Sequence, residues 1–460
     1  MRKRRIVGVG LIGSIAVALG LMFAAPQHAL ASCPAGSTPI NHSTDVVSSI
    51  TVYCGGVSNE YISLLPGDKW TDGEVTAVPL RADPSGPTIP LKQRGALECQ
   101  ASCSLYGVKV HDVPNSFAAF AVFPQSRDLT RVITIEGGEF DDAASIGLTM
   151  SGITFSIQGA EIAYNAHGTD GNGASVDCGF EAGGIKWVGD AGITTRDVFG
   201  NPYDYGITSD WVHDNGPSTQ NCPGVWSDIH GTGLVNNVSS DNNSGPGIQI
   251  EISANPSGTV RITHSHIAGN GYGLRSGHTS CSDWYWNPGI LLSTTSNVEV
   301  DHNYLGPQTV TQTNSSFRHY GETLTYGTNC SGLTAVEQLR CWTTKMCVLT
   351  SPDRIYSRNI NVHDNQIDLQ TAGTPKAGFI TTVSDDSTGF YDSSINHFEN
   401  DTYAMSICTS TTAFGWMGAL NTFSAWQNPI GMDIPPGGSC NTTFTPPNPP
   451  PIPTGFAFPG

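Results

Sequence analysis

Residues 224–253 read GVWSDIHGTGLVNNVSSDNNSGPGIQIEIS. Two short runs within it, GVWSD from Gly224 and GIQIE from Gly247, begin on glycine, alternate side chains and end on an acid, Asp228 in one and Glu251 in the other. Alternation with period two is the signature of a strand. A strand that recurs after a few tens of residues, with no helical pattern between the copies, signals a solenoid.

The same unit recurs on both sides, as GITSDWVHDNG, GTVRITHSHIAGNGYGLRSG, SNVEVDHNYLG and RNINVHDNQIDL. Asn215, Asn242 and Asn270 repeat through it, as do Gly224, Gly247 and Gly273. Each component has a physical reason in an all-β parallel β-helix with loop insertions and capped ends. Inward Ile and Val stack from coil to coil, and the turns need Asn or Gly for left-handed backbone and side-chain amide ladders. The composition agrees, with 53 glycines and only 13% charged residues among 460, a balance that favours strands and turns over helices.

The rungs GGIKW (183–187), PGVWSDI (223–229) and GIQIEIS (247–253), with FENDTYAM (398–405) and FGWMGALNTFSAWQNPIGMD (414–433) near the end, resemble bacterial secreted right-handed parallel β-helix repeat proteins of the pectin-lyase-like superfamily. The resemblance runs from about residue 130 to 435 and implies the fold. It also implies a glycan-directed function, since members are mostly polysaccharide lyases, glycoside hydrolases, epimerases or glycan binders.

Residues 1–31 read as a signal peptide, with a basic tip, an apolar run and the Ala29-Leu30-Ala31 cleavage pattern. A retained membrane anchor is the bland alternative, and Leu30-Ala31-Ser32-Cys33 also fits lipidation at Cys33. Residues 32–130 are expected to form an N-terminal cap and the first coils. Residues 131–440 carry the repeats, with an insertion at 306–357, and residues 441–460 a Pro-rich tail. Twelve cysteines without paired zinc spacing point to disulfides and a secreted, extracellular protein. Their connectivity stays open. Removal of the leader, which carries Arg2, Lys3, Arg4 and Arg5 and no acid, takes the formal charge from −18 to −22. That field argues against nucleic acid or an anionic membrane as partner. A monomer with no integral span after leader removal and a polysaccharide partner is the expectation.

Aligned on their glycines, Ile185, Val225, Ile248 and Leu274 face inward, and Lys186, Trp226, Gln249 and Arg275 form the next, outward column. Two positions on stand Val188, Asp228 and Glu251, then His230. Rungs lie about 4.8 Å apart, so Asp228 and Glu251 are expected side by side. Two like charges across a ladder cost stability, unless Lys186, Arg275 or His230 neutralises them in a surface ion network.

Three chemistries fit. The first is glycoside hydrolysis, with Glu251 as acid and Asp228 as base or nucleophile. The second is elimination on a uronate, with Ca²⁺ on Asp228 and Glu251 and Lys186 or Arg275 as base; this is what likeness to pectate lyases implies. The third is glycan binding without catalysis, on Trp226, Trp284, Tyr285 and Trp286. The first needs no cofactor.

Overall fold

The computed structural model describes residues 33–47, 49, 52–79, 95–122, 131–151, 153–168, 178, 182–188, 206–228, 233–251, 259–273, 288–293, 295–306, 317–321, 358–369, 377–381, 393–411, 413–416, 419–434 and 437–442, and the structural statements below concern these residues. Three long sheets of 11, 12 and 12 strands run along the chain, each taking every third strand in sequence order, with one extra consecutive strand closing the third. Neighbouring strands are parallel throughout, except for the closing pair Phe414–Trp416 and Ala419–Asn421. This is a right-handed parallel β-helix.

The inward columns are aliphatic. Ile185, Val225, Ile248 and Ile290 stack in register on successive rungs, each fully buried. Each such side chain contributes about 1.5–3 kcal/mol on burial.

Two corners carry polar ladders. Between the second and third sheets, the side-chain oxygen of Asn215 accepts from the Asn165 amide, Asn243 does the same for Asn215, and Asn270 for Asn243. Between the first and second sheets, Asn303, Asn365, Asp401 and Asp433 repeat the pattern. The ladder residue is therefore Asn243, where the sequence spacing pointed to Asn242. Asn242 instead takes the left-handed turn (φ 52°) one residue earlier. The rung glycines belong to the same device: a Cβ on Gly224 would lie 2.5 Å from the Asn243 amide nitrogen, and one on Gly247 2.7 Å from that of Asn270.

At the C-terminal end the short helix Phe423–Gln427, capped by the Thr422 hydroxyl, buries Trp426 against Phe398 and Phe414. The Trp426 indole donates to Asp433 at 2.9 Å. Disulfides join Cys33 to Cys54, Cys99 to Cys103, Cys178 to Cys222 and Cys408 to Cys440, which fits an oxidising compartment. The disulfide at Cys33 takes up the sulfur that lipidation there would require. No described helix is long and apolar enough to cross a membrane.

Candidate functional site

Connection length singles out the third sheet. Strands of the first and second sheets are joined by two-residue corners, as from Gln158 to Glu161 or His363 to Gln366. Long connections enter and leave the third sheet, from Ala163 to Gly183, Val188 to Gly206, Ala268 to Ile290 and Gly321 to Arg358. Loops on both sides of one face of a rigid scaffold are where binding groups concentrate.

Along that sheet one register column reads Thr149, Lys186, Trp226, Gln249, Leu291 and Arg318. The column two residues on reads Ser151, Val188, Asp228, Glu251, Ser293 and Tyr320. Asp228 is thus the direct backbone partner of Glu251. The Glu251 carboxylate is half-buried and accepts from Gln249 Nε2 at 3.1 Å.

Three expectations are corrected. The rung after Ile248–Glu251 is Ile290–Ser293, so Leu291, not Arg275, stands beside Gln249. The matching glycine is Gly289, whose carbonyl accepts from the Ile248 amide, while the Gly273 amide donates to the Ser244 carbonyl of the preceding coil. Trp226 is not an open platform: it is 2% exposed, with the Lys186 ammonium 3.5 Å from its ring centroid. A ladder spacing of about 4.8 Å lets a long side chain lie across its neighbour's ring. The segment read as an insertion contains a rung, Phe317–Gly321. That rung adds Arg318 and Tyr320, which sequence reasoning missed because the period is broken on both sides. His230, Arg275, Trp284, Tyr285 and Trp286 lie outside the described residues.

A second device appears on the other faces. Three times a histidine ends a strand, contacts the Asp that follows and reaches a Glu on the preceding rung. His111 meets Glu74 at 3.2 Å and Asp112 at 3.0 Å. His213 meets Glu161 at 3.1 Å and Asp214 at 2.8 Å, and His363 meets Glu299 at 3.1 Å and Asp364 at 2.8 Å. Burial opposes the charge of each ring, but the carboxylates outweigh it and raise all three pKa values. Beside His363, Asp301 is buried; burial alone would raise its carboxyl, yet Arg261, Thr263 and His302 hold it down at about 2.

Calcium takes six to eight oxygens, and the described residues do not fit it. Asp228 and Glu251 are two carboxylates, and the column beside them carries Lys186. Glu299, Asp301 and His363 have ligand atoms within 4.8 Å of one another but include an imidazole, and Arg261 already grips both oxygens of Asp301.

No family profile matches the sequence, and no curated protein matches it by sequence. The backbone is similar to the A-module of the Azotobacter vinelandii mannuronan C-5 epimerase AlgE4, at 10% identity over 80% of this chain and 91% of that one, with a TM-score of 0.41. It is also similar to the periplasmic alginate epimerase AlgG, at 11% identity over 73% and 71% with a TM-score of 0.33. A further similarity is to pectate lyase Pel9A, at 10% over 63% and 61% with a TM-score of 0.28. The likeness is one of fold, which the sheet order already establishes.

Proposed function

We propose that this chain is an exported carbohydrate-active enzyme that cleaves an extracellular polysaccharide along the third sheet, by hydrolysis through Asp228 and Glu251. The observation that carries this reading is their direct pairing across one rung of the sheet that bears the long connections. A solenoid face offers groups at a regular interval along a straight line, which suits an extended polymer. Hydrolysis needs one carboxyl to protonate the leaving oxygen and the other to act as base or nucleophile. Glu251 is assigned the acid and Asp228 the base or nucleophile. Gln249, hydrogen-bonded to Glu251, positions it.

A second reading, elimination on a uronate, is favoured by one observation: Lys186 and Arg318 share a register column beside the acids. A basic residue there would take the proton next to the uronate carboxylate, and the product would be unsaturated.

The deciding experiment incubates the leaderless protein with neutral and uronate polysaccharides and reads reducing ends and ultraviolet absorbance together. Reducing ends without absorbance, lost in Asp228→Asn and Glu251→Gln while glycan binding persists, support hydrolysis. Absorbance that survives both substitutions transfers the chemistry to Lys186 or Arg318. Silence across the panel, with glycan retained, makes the chain a binder and overturns both.

A further inference from the structure

The three His–carboxylate clamps share a geometry, but one has more around it. Among the described residues, only at His363 do three carboxylate or imidazole side chains, Glu299, Asp301 and His363, bring atoms within 4.8 Å of one another. Asn361 is the direct register partner of Glu299 and stands two residues before His363 on the same strand. Its Oδ1 is buried and has no hydrogen-bond partner among the described residues, so this corner holds a neutral oxygen acceptor that a cation would satisfy.

We propose that this face of the first sheet, at Glu299, Asn361 and His363, binds a divalent transition-metal ion of the zinc class. His363 sets both ring nitrogens against carboxylates, Nδ1 toward Asp364 and Nε2 toward Glu299. A neutral ring has one N–H, so one of those contacts needs a proton or a cation between two acceptors. The contact to Asp364 is the outer hydrogen bond that orients metal-bound imidazoles, which leaves Nε2 as the ligand. The 3.1 Å from Nε2 to the Glu299 oxygen is close to the roughly 3.3 Å that separates two ligands held at about 2.0–2.1 Å around a tetrahedral ion. Asp301 closes one side but does not ligate, because Arg261 holds both its oxygens at 2.6 and 2.9 Å. One imidazole nitrogen with carboxylate and amide oxygens suits zinc, cobalt or nickel better than the all-oxygen ions calcium and magnesium.

The test titrates Zn²⁺ into the metal-free, disulfide-bonded protein by calorimetry and follows the visible spectrum of added Co²⁺. One ion per chain is expected, with intense cobalt bands of a low-coordinate site. Asn361→Ala should weaken binding at least about tenfold, Asp364→Asn about 10–100-fold, and His363→Gln should abolish it. His213→Gln, which removes a clamp lacking the extra ligands, should leave it unchanged. Circular dichroism identifies any variant that fails to fold, and the Asn361→Ala result then decides. Absence of binding in the wild type, an unchanged affinity in Asn361→Ala, or equal loss in His213→Gln overturns the site.

Discussion

Lys186 holds its ammonium 3.5 Å from the centroid of the Trp226 ring, across one rung of the third sheet. Both residues stand in the column beside the acids, and both are buried. Trp226→Ala should therefore cost about 3–5 kcal/mol, as a buried aromatic does, and Lys186→Met roughly 0.5–2 kcal/mol for the lost cation–π contact. Denaturant midpoints check this. A Trp226→Ala protein with an unchanged midpoint and lost glycan affinity would instead make the ring an open sugar platform.

Neighbouring asparagines should respond in opposite ways. Asn243 satisfies the Asn215 amide and the Val212 carbonyl inside the core, so Asn243→Ala strands groups worth about 1–3 kcal/mol each. Asn242, in its left-handed turn, should accept Asn242→Gly with a change below about 0.5 kcal/mol. Urea unfolding of the pair distinguishes the ladder position from the turn position.

Stability should peak in mild acid. The raised pKa values of His111, His213 and His363 give stabilisation that is complete below the ordinary histidine value and is lost as pH rises through the folded ones. Asp141 is pushed to about 8 by burial and by Glu139, Asp210 to about 8 by burial, and Asp433 to about 6 by burial. Each of these acids also favours the fold most below the ordinary carboxylate value and loses that contribution up to its folded value. Asp301, at about 2, acts in reverse: its contribution is present above the ordinary carboxylate value and lost as pH falls through about 2. Thermal midpoints should thus be highest near about pH 4, the ordinary carboxylate value, and decline toward pH 8. Replacing the three histidines by glutamine should flatten the fall above about pH 6.5.

Arg261 is the partner of a carboxylate with no solvent exposure. Arg261→Met should cost about 3–5 kcal/mol by stranding the Asp301 charge, whereas the double change Arg261→Met with Asp301→Leu should recover most of it. Equal losses in single and double variants, read by denaturant unfolding, would mean that packing rather than charge holds this corner.

Much of the solenoid was legible. Alternation along the glycine-aligned rungs places Ile185, Val225 and Ile248 inward and pairs Asp228 with Glu251, and the structure has both registers. They were readable because each glycine marks the point where a rung leaves the asparagine corner, so spacing from it is conserved by geometry within the coil. The sequence misleads where that marker is ambiguous. Asn242 and Asn243 are adjacent, and the spacing admits either. Gly273 opens a run that imitates a rung, although the chain travels on to Gly289 before it rejoins the sheet.

From the sequence alone came the stacked coils, the inward columns, the facing acids and the disulfide-rich character, because these depend on short periods and residue types. Only the tertiary structure decided that Lys186 covers Trp226, that Tyr320 joins the acid row and Arg318 the column beside it, and that Asn361 stands in register with Glu299 on the strand of His363. Those relationships link residues on successive coils separated by connections of unequal length, so no fixed interval in the chain encodes them; hydrogen bonding between rungs alone brings them into register.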